Sequence, residues 1–154
     1  MDKTVLIYLK QGHNVLLLHR NKKKNDLNHD KWIGIGGHIE KGESKEQAIK
    51  REVLEETGLK LLNASYRGEI LFINNDYQEI MYLFTSSDFE GELIDCDEGE
   101  LHWIDLEQVS KLNIWEGDRL FLDTLLNTEK TIKMSLRYND DKLVDVIDES
   151  EERL

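Results

Sequence analysis

Three glutamates in one short segment, Glu52, Glu55 and Glu56, have the residue type and spacing to bind a metal ion. On an α-helix, positions i, i+3 and i+4 lie on one side, so these carboxylates would crowd together. A cation between them would relieve their repulsion, and carboxylate oxygens are ligands that suit Mg²⁺ and Mn²⁺. A solvent-exposed acidic helix is the alternative interpretation of the same spacing.

The flanking residues predict the helix that would position these carboxylates, from about Lys45 to Thr57. Ser44 is a favourable N-cap, and Gln47 three residues later completes a capping-box pattern. Gly58 supplies the left-handed residue at which helices commonly end. The acidic side of this helix adjoins its apolar side instead of lying opposite to it, which favours a site over a solvated surface.

The three glutamates belong to a longer pattern of residues at fixed intervals, which begins before the helix. Gly37 is followed after five residues by Glu43, and after seven more by the run Arg51-Glu52-Val53-Leu54-Glu55-Glu56-Thr57-Gly58-Leu59. This arrangement resembles the Nudix box, the signature of the Nudix hydrolases, and each of its fixed positions is filled. From the residues alone, Arg51 can form a bidentate salt bridge to Glu43 or Glu55 and so fix the rotamer of a ligand.

The resemblance implies hydrolysis of a nucleoside diphosphate linked to another moiety, with a divalent metal, Mg²⁺ or Mn²⁺, as cofactor. In the family pattern the helix glutamates bind the metal, the carbonyl of Gly37 often joins them, and Arg51 orients the carboxylates. Glu98, in the segment DCDEG, matches a glutamate that serves MutT-like members as a metal ligand or general base. Without the family, Glu98 could equally be an ordinary loop acid.

Three further stretches, "WIGIGGHIEKGE", "IDCDEGELHWIDL" and "WEGDRLF", resemble the MutT/MutX-type 8-oxo-dGTP diphosphatases. The resemblance implies cleavage of oxidised purine nucleoside triphosphates to the monophosphate and pyrophosphate, with Trp115 and Asp118 at the positions that bind the base. Two departures bear on base selection. Ile33 follows Trp32 where the animal pattern has an asparagine, and Gly117 replaces the first of two adjacent acids.

The remaining candidate binding residues can also be interpreted as residues without a role in binding. His38 could contact a phosphate or be a simple loop histidine, and the second interpretation is favoured. Arg20 and Lys22–Lys24 could attract a polyphosphate, although a short lysine run is usually solvated. Trp32 and Trp103 are expected in the core.

The composition of the chain limits the classes of protein to which it can belong. The 154 residues suit one domain spanning 1–154, with 39% hydrophobic and 34% charged residues and a formal net charge of −12. Such an acidic surface repels nucleic-acid polymers. One cysteine, Cys96, and the lack of a long apolar run favour a soluble, cytoplasmic protein without a membrane partner. Monomer and homodimer both stay open.

The remaining hydrophobic pattern predicts an α+β fold, and the resemblance implies a Nudix-type α/β/α sandwich with a mixed β-sheet. A loop is expected over residues 21–31 and an acidic tail over 148–154. Short helices are expected at Leu106–Leu112 and Asp118–Leu126. The expected strands are Thr4–Leu9, Val15–His19, Gly68–Ile73, Glu79–Thr85, Leu101–Ile104, Thr131–Tyr138 and Leu143–Ile147.

Two other functions stay open. The first is a Nudix hydrolase for a different nucleotide, such as a dinucleoside polyphosphate, a nucleotide sugar or an unmodified dNTP. The second is a catalytically inactive Nudix domain that senses a nucleotide. Inactive relatives usually lose glutamates of the box, and this chain retains them.

Overall fold

A computed structural model describes residues 1–23 and 28–150, so the predictions for Lys24 and for the end of the acidic tail lie outside the described residues. Within those ranges, no helix is both long and apolar enough to cross a membrane. The α-helices are α1 (Lys45–Thr57) and α2 (Asp118–Asn127), and a 3₁₀ helix spans Leu106–Lys111. The strands are β1 (Asp2–Gln11), β2 (Asn14–His19), β3 (Trp32–Ile33), β4 (Ile35–His38), β5 (Lys60–Asn74), β6 (Tyr77–Glu90), β7 (Glu100–Asp105), β8 (Ile132–Asn139) and β9 (Lys142–Asp148).

The β-sheet is mixed. Its order is β3-β2-β1-β6-β5-β8-β9, with β4 paired to β1 and β7 paired to β2. β1 runs parallel to β6, and β5 runs parallel to β8, whereas the hairpin pairs β5–β6 and β8–β9 are antiparallel. β1 is the central strand, because it joins the β2 hairpin to the rest of the sheet and also pairs with β4.

The strand β1 alternates between two hydrophobic clusters because successive side chains of a strand face opposite sides. Val5, Ile7 and Leu9 pack with the apolar side of α1, while Tyr8 packs in the cluster that contains α2. The helices therefore lie on opposite faces of the sheet. This arrangement confirms the predicted α+β fold with α/β/α layers.

Each predicted helix and strand is present in the described residues, but several bounds differ. β5 and β6 extend well beyond Gly68–Ile73 and Glu79–Thr85, since they pair with each other along most of their length. The helix expected at Leu106–Leu112 is a 3₁₀ helix. The sequence did not predict β3 and β4, because the glycine-rich run through them reads as a loop and only pairing with β2 and β1 makes it extended.

Arg67 fixes the end of α2 and thereby the helix that carries Asp118. Its buried guanidinium donates hydrogen bonds of 2.7 Å to the carbonyls of Leu125, Thr128 and Lys130. The last carbonyls of a helix have no partner within the helix, so these bonds satisfy groups that would otherwise be buried without one.

Candidate active site

The helix α1 begins and ends at the predicted residues. The Ser44 hydroxyl accepts from the Gln47 backbone N–H at 3.0 Å, and the Gln47 side chain accepts from the Ser44 N–H at 2.8 Å. Gly58 has a φ of 79°, in the left-handed region where a side chain is strained. Caps of this kind each stabilise a helix by about 1 kcal/mol, so the glutamates lie on a well-defined scaffold.

The strand β4 lies directly against the glutamates of α1. A Cβ atom on Gly37 would approach the Glu52 carboxylate oxygen Oε1 to 2.5 Å, so only glycine lets this carboxylate reach the backbone. The backbone N–H of Gly36 donates to Glu56 Oε2 at 3.2 Å. The glycine pair therefore positions two of the three predicted ligands.

Glu52, Glu56 and Glu98 come together on the wall of one cleft. Burial raises the pKa of Glu56 to about 9, and the nearby charges of Glu98 and Glu52 add to the rise. Burial also raises the pKa of Glu52, although Arg51 opposes this shift. Glu56 therefore keeps its proton near neutral pH in this metal-free arrangement, because it lies buried beside two other carboxylates.

Glu55 does not join this cluster, in contrast to the expectation that all three glutamates face inward. Its side chain is 58% exposed and accepts from Arg51 Nη1 at 3.2 Å. Four residues of helix turn the chain by about 400°, which brings Glu56 almost over Glu52, whereas Glu55 lies about 60° to the other side. Across residues 1–23 and 28–150, no three acidic, histidine or cysteine side chains already surround one point.

Arg51 braces the carboxylates as the sequence suggested. Its guanidinium donates to Glu43 through Nε at 2.7 Å and through Nη2 at 3.0 Å, which is the bidentate geometry. Nη1 donates to Glu52 Oε1 at 2.8 Å, and Nη2 donates to the carbonyl of His38 at 3.0 Å. The Arg51 side chain lowers the pKa of Glu43 and thus keeps that carboxylate ionised.

The basic residues predicted to attract a polyphosphate lie beside Glu98. Arg20 Nη1 donates to Glu98 Oε2 at 3.0 Å, and Lys23 Nζ lies 3.8 Å from Glu98 Oε1. Lys22 donates instead to the Cys96 carbonyl at 2.7 Å. Arg20 also lines the cleft, so a phosphate entering there would meet a cation next to the carboxylates.

The cleft has a volume of about 530 Å³, within the range of small-molecule sites. Trp115 and Asp118, the two residues predicted to bind the base, also line it; we call their part of the cleft its aromatic end, and the part lined by Glu52, Glu56 and Glu98 its carboxylate end. Trp115 is 6% exposed and makes edge contacts with Phe72 and Tyr138, with ring centroids 5.8 and 5.2 Å away. The aromatic end and the carboxylate end therefore belong to one continuous cavity.

Asp118 is buried at the start of α2. Burial raises the pKa of its carboxyl to about 7, opposed by the charges of Lys31 and Arg119. The carboxyl can therefore donate or accept a hydrogen bond near neutral pH. Ile33 lines the same cavity and has no polar side-chain atom, as the sequence indicated.

His38 and the other two tryptophans lie in ordinary surroundings. His38 is 68% exposed at the edge of the cleft, with its Nε2 3.4 Å from Asp2 Oδ2. Trp32 stacks on His19, and Trp103 stacks on Phe89. Neither tryptophan is among the described residues that line the cleft, in line with the expectation that they are packing residues.

Sequence reasoning missed several residues of the cavity. Phe72 lies on β5, and Tyr77, Glu79 and Met81 lie on the neighbouring strand β6. Their alternation along the strands was a usable signal. Asn28, which also lines the cavity, lies in a polar loop where the sequence carried no signal.

The family model of the NUDIX domain matches residues 2–125. This chain belongs to the Nudix family of hydrolases. It therefore acts on phosphoanhydride bonds of nucleotide substrates, and Nudix hydrolases generally use a divalent metal. The match covers both the carboxylate end and the aromatic end of the cleft.

Similar proteins support the MutT-type branch of the Nudix family. The chain is 32% identical over 127 residues to the oxidized purine nucleoside triphosphate hydrolase of Danio rerio, covering 81% of this chain and 80% of the relative. It is 31% identical over 108 residues to the NAD-capped RNA hydrolase NudC of Haemophilus influenzae, covering 68% of this chain and 39% of NudC. The Mutator MutT protein of Bacillus halodurans has the same fold, with a TM-score of 0.87, 24% identity and coverage of 99% and 100%.

The carboxylates fit the divalent metal that Nudix hydrolases generally use. Burial raises the pKa of Glu56 to about 9, and the charges of Glu98 and Glu52 add to the rise, so Glu56 keeps a proton near neutral pH. A divalent cation can take the place of that proton, and carboxylate oxygens are suitable ligands for it. The donor set therefore suits a hard cation rather than a soft one.

Proposed function

We propose that this Nudix hydrolase is a Mg²⁺-dependent nucleoside triphosphate pyrophosphohydrolase. Its proposed substrates are oxidised purine dNTPs such as 8-oxo-dGTP, which it cleaves to the monophosphate and pyrophosphate, so removing damaged nucleotides from the pool. The observation that carries the proposal is the single cleft in which the Glu52–Glu56–Glu98 carboxylates adjoin the Trp115 and Asp118 end. The function named for the Danio rerio relative supports the same substrate class.

In this proposal Glu52, Glu56 and Glu98 hold Mg²⁺, together with Glu55 and the Gly37 carbonyl; Mn²⁺ is an alternative. When bound, the ion neutralises charge on the phosphate oxygens and makes a water molecule more acidic. Glu56 or Glu98 accepts the proton of the attacking water, because both carboxylates line the cleft at the proposed metal site. Arg51 keeps the Glu52 carboxylate in place.

The other residues bind the nucleotide. Arg20, and His38 when protonated, attract the phosphates at the carboxylate end of the cleft. The base stacks on Trp115, and such stacking contributes about 1–3 kcal/mol per base. Asp118 forms a hydrogen bond with the edge of the base from the buried end of α2.

A second candidate within the Nudix family is hydrolysis of a different nucleotide, such as a dinucleoside polyphosphate, a nucleotide sugar or an unmodified dNTP. Ile33 favours it, because no hydrogen bond to an oxidised base comes from this side chain. The similarity to NudC, although it spans 39% of that protein, points to the same class.

A panel of nucleotides separates these candidates. The chain should be incubated with Mg²⁺ and, separately, 8-oxo-dGTP, dGTP, dATP, a dinucleoside polyphosphate and ADP-ribose, and kcat/KM measured for each. The proposal expects the highest value for 8-oxo-dGTP, well above that for dGTP. Cleavage of only the dinucleotide-type substrates would contradict it and support the second candidate.

A further inference from the structure

A half-buried glutamate of β6, Glu79, lines the cleft and has no place in the proposed function. The hydroxyl of Thr4, a residue that is 7% exposed, donates to Glu79 Oε2 at 2.7 Å. The hydroxyl of Tyr77 donates to Glu79 Oε1 at 2.5 Å and lies 3.1 Å from Asp2 Oδ2. Hydroxyl donors from the paired strands β1 and β6 therefore hold this carboxylate in a defined orientation.

The Glu79 carboxylate keeps the capacity to accept a hydrogen bond from a ligand. A carboxylate has two oxygens with about four acceptor sites, and the two hydroxyls use one site on each oxygen. Burial and the charges of Glu79 and Asp2 raise the pKa of Tyr77, so its hydroxyl keeps its proton and donates. A ligand group that binds to Glu79 must therefore be a hydrogen-bond donor, and an anionic phosphate is repelled there.

The Thr4–Glu79 pair connects the carboxylate end of the cleft with its aromatic end. On one side, Thr4 pairs with His38 of β4, the strand that lies against the glutamates of α1. On the other side, Glu79 pairs with Phe72 of β5, whose ring centroid lies 5.8 Å from that of Trp115. The sugar of a nucleotide joins the base to the phosphates, so a nucleotide that spans both ends places its sugar beside this pair.

We propose that Glu79 binds the 3′-hydroxyl of the substrate's deoxyribose. In a deoxynucleoside 5′-triphosphate this hydroxyl is the donor that the sugar offers, since position 2′ carries hydrogen and position 5′ carries the phosphates. The inference rests on the proposed function in one respect, namely that a deoxynucleotide binds with its base at the aromatic end and its phosphates at the carboxylate end. Loss of a hydrogen bond to a charged group corresponds to binding weaker by about 10- to 100-fold.

Two substitutions test the contact in different ways. Glu79→Gln keeps the shape of the side chain but removes its charge and one of its two acceptor oxygens. Thr4→Val keeps the carboxylate but removes a hydroxyl that orients it. Gln78→Ala is the matched control, since Gln78 is exposed, adjacent on β6 and outside the described lining of the cleft. Thermal unfolding shows whether each variant folds.

The experiment measures dissociation constants for dGMP and for 2′,3′-dideoxyguanosine monophosphate by calorimetry in the presence of Mg²⁺. The two ligands carry the same base and phosphate, so the ratio of their constants separates the effect of the 3′-hydroxyl from the change of charge in Glu79→Gln. The wild type and Gln78→Ala should bind dGMP at least about tenfold more tightly than the dideoxy ligand. Glu79→Gln should lose most of this preference, and Thr4→Val a smaller part of it.

Equal binding of the two ligands by the wild type would overturn the inference. An unchanged ratio in Glu79→Gln would do the same, even if both ligands bind more weakly or more tightly, because Glu79 would then act through its charge alone. GMP is measured as a third ligand. If only the preference between GMP and dGMP depends on Glu79, the carboxylate binds the 2′-hydroxyl and the assignment to the 3′-hydroxyl fails.

The two proposals can fail separately, because the binding measurement requires no cleavage. If no nucleoside triphosphate is cleaved but the preference for dGMP depends on Glu79, the proposed function fails and the contact to the sugar stands. If triphosphates are cleaved and the preference is independent of Glu79, the reverse holds.

Discussion

The Arg51 guanidinium holds Glu43 through two hydrogen bonds, of 2.7 Å from Nε and 3.0 Å from Nη2, while its Nη1 holds Glu52 at 2.8 Å. One side chain therefore connects the loop before α1 to a proposed metal ligand. Arg51 acts as a positioning residue, because it is not among the described residues that line the cleft but holds Glu52, which is one of them.

Replacing Arg51 by lysine should lower activity through the metal site. A lysine cannot make the bidentate bond, so Glu52 loses its fixed orientation. We expect Arg51→Lys to lower kcat by about 10- to 100-fold and to raise the Mg²⁺ concentration needed for half-maximal activity. Lys50→Ala, an exposed neighbour on α1, is the control. A lower melting temperature with an unchanged Mg²⁺ requirement would mean that Arg51 is only structural.

Glu56→Gln should remove nearly all activity and leave the fold intact. The buried carboxylate is proposed both as a ligand and as a proton acceptor, and an amide serves neither role well. We expect kcat to fall by about 10²- to 10⁴-fold. Glu46→Gln is the matched control, because Glu46 is an exposed residue of the same helix. A Glu56→Gln variant with nearly wild-type kcat would refute the assignment.

Glu55→Gln tests whether the exposed glutamate becomes a ligand. The resemblance to the family assigns Glu55 to the metal, but its side chain is exposed and contacts Arg51. We expect a loss of kcat of at least tenfold, together with a higher Mg²⁺ requirement. If Glu55→Gln matches the Glu46→Gln control in both quantities, Glu55 is not a ligand.

Mg²⁺ should stabilise the folded protein more at high pH than at low pH, so its removal should lower the melting temperature more at high pH. Glu56 carries a proton below its folded pKa of about 9, so an added cation must displace that proton at pH 6 but less so at pH 8.5. Glu98 and Glu52 raise this pKa further by their charge. We therefore expect the rise in melting temperature on adding Mg²⁺ to be larger at pH 8.5 than at pH 6. An equal rise at both values would contradict the assignment.

Asp118 should make the metal-free protein less stable as pH rises. Its pKa is about 7 in the folded protein against 3.8 for the ordinary group, so its contribution to stability is complete below about pH 4 and is lost as pH rises through 7. Asp118→Asn removes this dependence. We expect the free energy of unfolding of the variant, relative to wild type, to improve by at least about 1 kcal/mol between pH 5 and pH 8. A constant difference across that range would exclude the effect.

The local features of this protein could be predicted and the distant ones could not. Both ends of α1 follow from Ser44, Gln47 and Gly58, because caps depend on a few adjacent residues. β4 could not be predicted, since it is extended only through pairing of Gly37 and its neighbours with β1. The same limit applied to Asn28, whose position depends on a tryptophan 87 residues later.

In the candidate site, too, the residues could be predicted only in part. The resemblance to the family assigned Glu98 to the metal together with Glu52 and Glu56, and these three side chains line one cleft. It also placed Glu55 with them, but the direction of that side chain depends on its contact with Arg51. The spacing of residues along a helix limits which side chains can meet, whereas neighbouring side chains decide which of them do.

The most direct test of the central claim is to identify the products formed from 8-oxo-dGTP. The chain and Mg²⁺ should be incubated with this nucleotide and the products separated by anion-exchange chromatography, with EDTA and Glu56→Gln as controls. We predict equal amounts of 8-oxo-dGMP and pyrophosphate, with almost none in either control. Failure to cleave this or any other nucleoside triphosphate, or cleavage unaffected by EDTA and by Glu56→Gln, would contradict the account.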